Sequence, residues 1–517
     1  MDTARAAGVV VGIDLGTTFS AVARMDERGH VEVIPNSEGA MLTPSVVFFD
    51  DDDNVLVGRE AVKALTVEPG RGAECFKRDM GFPAYRELVD GRERRPESLS
   101  AIVLAKLKQD TEAAIGPISG AVITVPAFFD DTRRKATEDA GRIAGLNVLK
   151  VINEPTAAAL WYGFEEPERL RPGEVSLVYD LGGGTFDVTL MRGLGNSEFE
   201  TLVTDGNVML GGRDWDERLL AYVAGEFEKT TGLDPTSDRA ARQELLQRVE
   251  ECKRTLSKLT TAKVAVSCGD QRLWVPVTRE CFEGLTADLL ARTKATVELL
   301  VEEAGLGWRD IARVILVGGS SHMPMVQKML ERLSGRAPEA RGQIELAVAR
   351  GAAVYAAALM GLVGVSDDTR RRVPTDFHET NSHSLGVEID GEDGRPRNSV
   401  IIPRNTPIPC QETQEFRTAS RSGPDSRIPI VILEGEAADP EACVRVGTCE
   451  VSGLPSGLPS GSVVRVTFAY SGDGRITVEA EVPAVSRRVR AEIARSAALT
   501  ESRLQQETSA VSDLVIL

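Results

Sequence analysis

Two stretches of this chain carry nearly the same phrase: Val11-Gly-Ile-Asp-Leu-Gly-Thr-Thr-Phe-Ser20 and Val178-Tyr-Asp-Leu-Gly-Gly-Gly-Thr-Phe-Asp187. Placing Asp14 over Asp180 also brings Leu15 onto Leu181, Gly16 onto Gly182 and Val22 onto Val188. A phrase used twice restricts the fold to two halves built on one plan. Each copy runs from an apolar strand that delivers an Asp, through a Gly/Thr turn, into a second apolar strand, residues 21–25 or 188–191, which predicts a β-hairpin. Glycines let backbone N–H groups approach phosphate oxygens as an anion nest, and threonine hydroxyls add donors. The aspartates suit hydrated Mg²⁺, which keeps several waters and takes few direct protein ligands. One such hairpin is ordinarily just a hairpin; two matching copies point to a nucleotide clamp split between halves.

The repeat continues downstream. Residues 121–129, Ala-Val-Ile-Thr-Val-Pro-Ala-Phe-Phe, run into a helical stretch from Asp131, and residues 313–324 enter a helix with Met325, Val326, Met329 and Leu330 at helical spacing. An apolar strand feeding Gly318-Gly319-Ser320 at a helix start predicts a second kind of anion site, because unsatisfied N–H groups point out of that end.

Asp14-Leu-Gly-Thr-Thr18, Ile152-Asn-Glu-Pro-Thr-Ala-Ala-Ala-Leu160, Asp180-Leu-Gly-Gly-Gly-Thr-Phe-Asp187, Gly211-Gly-Arg-Asp214 and Val317-Gly-Gly-Ser320 stand in the order and approximate spacing of the DnaK-type chaperones. The chain thus resembles the 70-kDa heat-shock family, strongly over roughly residues 8–365 and more weakly over 381–486. The resemblance implies an α/β actin-like ATPase domain of two ribonuclease-H-like halves, with ATP in the cleft, followed by a β-sandwich substrate-binding domain. It matches Asp14 and Asp180 to the carboxylates that hold the waters of Mg²⁺, and Thr17, Thr18 and Gly182, Gly183, Gly184 and Thr185 to the phosphate loops. Gly16, Phe19, Gly211 and Gly212 fall beside these as nucleotide contacts. Lys77 matches the lysine that positions and polarises the attacking water, and Glu154 and Asp187 the remaining carboxylates around metal and water. K⁺ is a further cation for this site. Lys77, Glu154, Asp180, Thr185 and Asp187 form the implied catalytic set, which suits phosphoryl transfer to water by positioning and charge neutralisation.

Glu250, Lys253, Arg254 and Ser257 recur at helical spacings of three and four, which alone describes an ordinary charged helix face. By resemblance they line the adenosine pocket with Gly318, Gly319, Ser320, His322 and Glu345, and Arg254 stacks on adenine. Two positions depart from the family pattern: His322 stands where Arg is usual and Glu345 where Asp is usual. A stacking cation is exchanged for a histidine, so ATP binding is expected to persist but weaken. The stretch from Asp79 to Pro96 is also shorter than its family counterpart, which implies a reduced subdomain IB.

With 517 residues the chain is long enough for two or three domains, and a net charge of −18 argues against nucleic acid or an anionic membrane as main partner. Seven cysteines without a Cys-x-x-Cys pair fit a reducing cytoplasm and give no zinc signature. The first residues lack the apolar run of a signal peptide. The Ala-rich stretch from Gly351 to Val365 suits a closely packed helix better than a membrane span.

The composition shifts near residue 366, and the expected organisation is an ATPase domain over 1–365, a linker over 366–380, a β-sandwich over 381–486 and a short C-terminal segment over 487–517 with a partial helix and no full lid. Where the family carries a leucine-rich linker this chain has Arg370-Arg-Arg-Val373, with Val373 and Phe377 as substitutes. Strand-like runs separated by turns continue to residue 486, which predicts an antiparallel sandwich. By resemblance Val387, Phe416, Ile428 and Ile430 line a pocket for an apolar peptide side chain, with Ala419 and Asp390 at its arch; Pro429 and Arg475 are departures. Gly453-Leu-Pro-Ser-Gly-Leu-Pro-Ser-Gly461 reads as a flexible or polyproline-like loop. A helix begins after Thr500, with Leu504 facing inward. Without a lid, bound peptide is expected to exchange fast.

The leading functional reading is an ATP-dependent chaperone for unfolded or apolar peptide segments, cytoplasmic and monomeric, served by a J-domain co-chaperone and a nucleotide-exchange factor. Its alternative is an ATP-dependent scaffold with one dedicated partner. An actin-like filament former or kinase is disfavoured by the trailing β-domain phrase Ser384-Leu-Gly-Val.

Overall fold

The duplicated phrase folds as two hairpins. In the first, Val9–Asp14 pairs with Phe19–Met25 and Asp14 lies opposite Ala21; in the second, Val175–Leu181 pairs with Phe186–Gly195 and Asp180 lies opposite Asp187. Both come from a computed structural model that describes residues 8–51, 54–165, 171–195, 198–340, 342–361, 379–391, 393–423, 426–471, 476–492 and 499–517. The chain divides into two compact units, one from residues 1–127, 136–377 and 499–517, the other from residues 128–135 and 378–498.

In the first unit each hairpin gains a parallel strand on the side away from its return strand. Ile118–Val125 lies beside Val9–Asp14, and Ile311–Val317 beside Val175–Leu181. Parallel pairs need crossovers that cover the sheet faces, so their strands become apolar throughout; every residue of Val175–Leu181 is buried. The halves join through the helices Glu154–Glu165 and Ala347–Leu359, whose small residues allow close approach. A Cβ at Gly351 would sit 1.6 Å from the Ala157 carbonyl oxygen, so only glycine fits this crossing. The Ala-rich stretch from Gly351 belongs to this close-packed helix as far as Leu359, and its residues 362–365 lie outside the described residues.

One local expectation needs correction. Ile311–Val317 does not feed an α-helix at Gly318-Gly319-Ser320; it enters a four-residue 3-10 turn, Gly319–His322, and the helix Pro324–Ser334 starts only afterwards. Proline at the first helical position is well placed because its missing N–H would be unsatisfied there anyway. A smaller sheet in the first half contains Gly72–Glu74, Val46–Phe49, Asn54–Val57 and, unexpectedly, Val515–Ile516, in the order Val515–Ile516, Asn54–Val57, Val46–Phe49, Gly72–Glu74.

The second unit holds two four-stranded antiparallel sheets. One is ordered Pro396–Ile402, Leu385–Asp390, Ile428–Glu434, Val444–Val451; the other Cys410–Arg417, Val463–Tyr470, Ile476–Val482, Arg487–Glu492. Alternate side chains meet between them in one apolar cluster that includes Val387, Ile432, Val464, Phe468 and Val478. Arg487–Glu492 lies beyond residue 486, where the sequence reading ended the sandwich. The Gly-Leu-Pro-Ser tandem is not a loose loop: Leu454 and Leu458 are buried in that cluster, and Ser422 pins it, its Oγ donating to the Pro455 carbonyl at 2.6 Å and accepting from Leu458 N–H at 2.8 Å. The linker residues Arg370 to Val373 and Phe377, and Arg475 near the expected pocket, lie outside the described residues.

Candidate active site

The two hairpin turns face each other within the first unit. A Cβ at Gly183 would lie 1.9 Å from Thr18 Oγ1, and one at Gly184 2.2 Å from Thr17 Cγ2. Threonine side chains therefore project from one turn and bare backbone receives them on the other. The second turn is braced by its own amides: Gly182 N–H donates to Thr185 O at 3.0 Å, Gly212 N–H to Gly182 O at 2.9 Å and Arg213 N–H to Gly183 O at 2.9 Å. This gives Gly211 and Gly212, at the start of the helix Gly212–Thr231, a place beside the turn. The first turn is held by Ser45, whose N–H donates to Thr18 O at 2.9 Å and whose Oγ donates to Gly16 O at 2.8 Å.

Lys77 lies beneath the turns, on the short 3-10 segment Phe76–Asp79, which Cys75 introduces in the left-handed region (φ 56°). Its Nζ meets Glu154 Oε1 at 2.6 Å, and both side chains are buried. Asp14, Glu154, Asp180 and Asp187 thus share one neighbourhood with a single ammonium. Burial pushes the Asp14 carboxyl up to about 7, helped by the charge of Glu154 and opposed by Lys77 and the Thr124 hydroxyl. Asp180 is raised well above its ordinary value, first by burial and then by Glu154, Asp187 and Asp14. Both shifts come first from burial and then from the excess of negative charge. Thr185 is buried at the end of its turn, before Asp187.

The four helix residues expected to line an adenosine pocket separate into two roles. The helix Arg239–Lys258 carries them all. Lys253 turns inward, its buried Nζ donating to the Gly212 carbonyl at 3.0 Å and to Asp216 Oδ2 at 2.7 Å, so it braces the second turn from behind. Arg254 faces outward, held by Glu250 at 2.7 Å, with its guanidinium 5.2 Å from the Phe19 ring of the first turn. Ser257 Oγ donates to the Lys253 carbonyl at 3.4 Å. Gly318 and Gly319 lead into the 3-10 turn, where Ser320 is buried. The two residues that depart from the family pattern pair with each other: His322 Nε2 lies 2.8 Å from Glu345 Oε1. The histidine bond, outweighing burial, holds the Glu345 carboxyl below its usual range. A longer acid reaches a shorter base, so the exchanges compensate in length.

Four residues near this centre escaped the sequence reading. Arg78, adjacent to Lys77 and equally buried, donates to the Gly184 carbonyl at 2.8 Å and to Asp214 Oδ2 at 2.6 Å. Asp216 partners Lys253, and Thr124 Oγ1 donates to Asp14 Oδ1 at 3.4 Å. Asp214 ends the phrase Gly211-Gly-Arg-Asp214 and Arg78 is the second cation of Lys-Arg, but neither carries a local signal of its partner more than 100 residues away.

In the second unit the expected pocket residues divide by exposure. Val387 and Ile430 are buried in the sandwich core, Phe416 and Ile428 are half-buried at its margin, and Ala419 and Asp390 are exposed. Pro429 is exposed on a strand that pairs there with Val444–Val451, opposite Glu450. Proline is tolerated where no ladder hydrogen bond is needed from its nitrogen.

The acidic centre fits a divalent cation by its chemistry, since four carboxylates, with Glu154, Asp180 and Asp187 buried and Asp14 half-buried, lie around the Lys77 ammonium and call for compensating positive charge. Among the described residues no three His, Cys, Asp or Glu side chains converge closely enough to ligate a metal directly. Among them, too, no helix is long and apolar enough to cross a membrane. The family model described as Hsp70 protein matches residues 10–90 and 83–513. The chain is 41% identical over 480 residues to the chaperone protein DnaK of Thermotoga petrophila and to that of Thermotoga maritima, covering 91% of this chain and 78% of each relative. It is 39% identical over 479 residues to the chaperone protein DnaK of Thermosipho melanesiensis, with the same coverage.

Proposed function

The chain belongs to the Hsp70 family, and from that premise we propose how its own residues run the family's ATP-driven cycle. It is an ATP-dependent molecular chaperone that hydrolyses ATP, binds ATP and ADP with a divalent metal, and works on polypeptide substrates with co-chaperones.

The observation that carries the mechanistic reading is the meeting of the two Asp-Leu-Gly turns above the Lys77–Glu154 pair, 2.6 Å apart. We read the divalent metal as Mg²⁺, which Asp14 and Asp180 would hold through water and which would neutralise phosphate charge; K⁺ would be a further cation of the same site. Thr17 and Thr18 from one turn and the Gly182–Thr185 turn from the other bind the β- and γ-phosphates, the latter through the amides of Gly183, Gly184 and Thr185 while Gly182 N–H closes the turn. Lys77 orients the attacking water and polarises it, and Glu154 fixes Lys77 so that no reorganisation is needed during the reaction. Asp187 and Thr185 complete the polar shell around that water. Arg254 and His322 flank the base, with Glu345 holding His322 in place.

The β-sandwich binds exposed apolar segments in this reading, with Phe416 and Ile428 as the accessible members of the pocket. A J-domain co-chaperone, an exchange factor, a monomeric state and a cytoplasmic location belong to the same proposal; seven unpaired cysteines suit a reducing compartment. The test is the anisotropy of a labelled apolar peptide with and without Mg-ATP. ATP is expected to weaken its binding, and an affinity indifferent to ATP in a chain that still hydrolyses it would overturn the coupled cycle.

A further inference from the structure

Leu385–Asp390 and Ile428–Glu434 are neighbours in their sheet over only part of their length. They pair at Leu385 opposite Glu434, Gly386 opposite Leu433 and Val387 opposite Ile432, and there the register stops. Beyond it each strand runs on beside its outer neighbour alone, Glu388 to Asp390 along Pro396–Ile402 and Ile428 to Val431 along Val444–Val451. The sheet is forked, and among the described residues no strand pairs with the inner edges of the two arms. Ile389 and Ile428, near the arm tips, are only half-buried against the sandwich core.

The main-chain groups that line the fork follow from two prolines. Antiparallel neighbours alternate between pairs that exchange both main-chain bonds and pairs whose N–H and C=O point away from each other. A proline has no N–H to exchange. Asp390 opposite Pro396 and Pro429 opposite Glu450 are therefore pairs of the second kind, so the main-chain groups of Asp390 and Pro429 turn toward the fork. Alternation gives Glu388 and Val431, two residues deeper, the same orientation. The Asn398 N–H agrees, because it donates to the Ala438 carbonyl at 2.9 Å and not to Glu388 opposite it. One arm thus offers a donor and an acceptor at both Glu388 and Asp390. The other offers both at Val431 but only a carbonyl at Pro429.

We propose that Pro429 is a specificity-determining residue of the peptide site, because it removes one donor from the mouth of the fork and makes the grip on a client's main chain one-sided. This rests on the reading of the sandwich as the peptide site and adds to it which segments are held. When a strand is added to a sheet, main-chain bonds give affinity whatever the sequence, and pockets for alternate side chains give selectivity. With the first contribution reduced, a segment stays bound only if an apolar side chain fills the space beside Phe416 and Ile428. A client carbonyl opposite Pro429 keeps its water, since Pro429 is exposed.

The experiment measures the anisotropy of a labelled apolar peptide on the full chain without ATP, comparing wild type with Pro429→Val and Pro429→Ala. Both substitutions restore the N–H and should tighten binding about three- to tenfold, roughly the net worth of one hydrogen bond. Slow hydrogen exchange at the Val478 amide, in the other sheet, reports that the sandwich remains folded. A series of peptides with one amide at a time replaced by an ester then identifies the source of the gain, because an ester carbonyl is the poorer acceptor. The gain should shrink below about twofold with one ester peptide and persist with the others. Unchanged or weaker binding by both folded variants would overturn the proposal, as would a gain that survives every ester, which would come from removing the ring. No binding by wild type or variants would overturn the peptide-site reading itself, and the role of Pro429 with it.

Discussion

In the first hairpin Gly16 is followed by Thr17 and Thr18; in the second Gly182 is followed by Gly183 and Gly184. The plan is shared, yet the turns meet so closely that only one can carry side chains, and the gaps at Gly183 and Gly184 are filled by the threonines opposite. A duplicated element that faces its own copy is driven to asymmetry by packing alone. The charged residues divide in the same way: in the first half Lys77 pairs with Glu154, whereas in the second Asp180 lies opposite a further carboxylate, Asp187. The first half thus supplies the ammonium and the projecting threonines Thr17 and Thr18, and the second supplies backbone donors and the pair Asp180 and Asp187.

The largest test of that division is Lys77→Ala. If the second half contributes no equivalent cation, single-turnover hydrolysis should fall by about 100- to 1,000-fold while ATP still binds. A loss of only a few-fold would mean that Arg78 or another group takes over, and the division of roles would fail. Next in size is Gly184→Ala, whose methyl would press on Thr17. Displacing a phosphate loop by even about 1 Å can cost roughly 100-fold in rate. Thr17→Gly on that background should recover part of the loss if crowding between the turns is its cause, and none if Gly184 matters for another reason.

A third test separates the halves by charge. The Asp14 carboxyl, ordinarily near 3.8, is pushed up to about 7, first by burial and then by Glu154. A group raised in the folded state stabilises it fully below the unfolded value, and that contribution is lost as pH rises through the folded one. EDTA-treated protein should therefore melt at falling temperatures from about pH 4 to pH 7, with Mg²⁺ removing much of the slope. Asp14→Asn should flatten the metal-free profile; an unchanged slope would assign the titration to Asp180 and the second half.

Much of this site was legible because its signals are local. A Gly/Thr turn between two apolar runs specifies a hairpin within ten residues, and its repetition gives both facing turns with Asp14 and Asp180 at their strand ends. The Ala-rich helix was legible for a similar reason, since small residues announce close approach. What escaped depends on partners distant in sequence: Arg78 with Asp214, Lys253 with Asp216, and His322 with Glu345. The Gly-Leu-Pro-Ser tandem misled because proline and glycine suggested flexibility, whereas Leu454 and Leu458 could bury only once the sandwich existed to receive them. The strand Val515–Ile516 is two residues long and takes its pairing from an edge more than 450 positions earlier; no periodicity could reveal it.

The smallest expected effect concerns the base, where the contributions of the halves are again unequal. In the proposed arrangement the first half offers Phe19, with Arg254 above its ring at 5.2 Å, while the second offers Arg254, His322 and Glu345. His322→Arg would place a permanent cation beside the base, and Glu345 could still receive it. An exposed cation–π contact contributes about 0.5–1 kcal/mol, which corresponds to roughly two- to fivefold tighter ATP. Calorimetry on the variant should give that gain without a change in hydrolysis at saturating ATP, because the substitution lies on the nucleoside side of the cleft. Unchanged affinity would mean that the His322–Glu345 pair already orders the pocket as well as the arginine would. A fall in affinity would show that pocket width, set by the shorter histidine, outweighs charge.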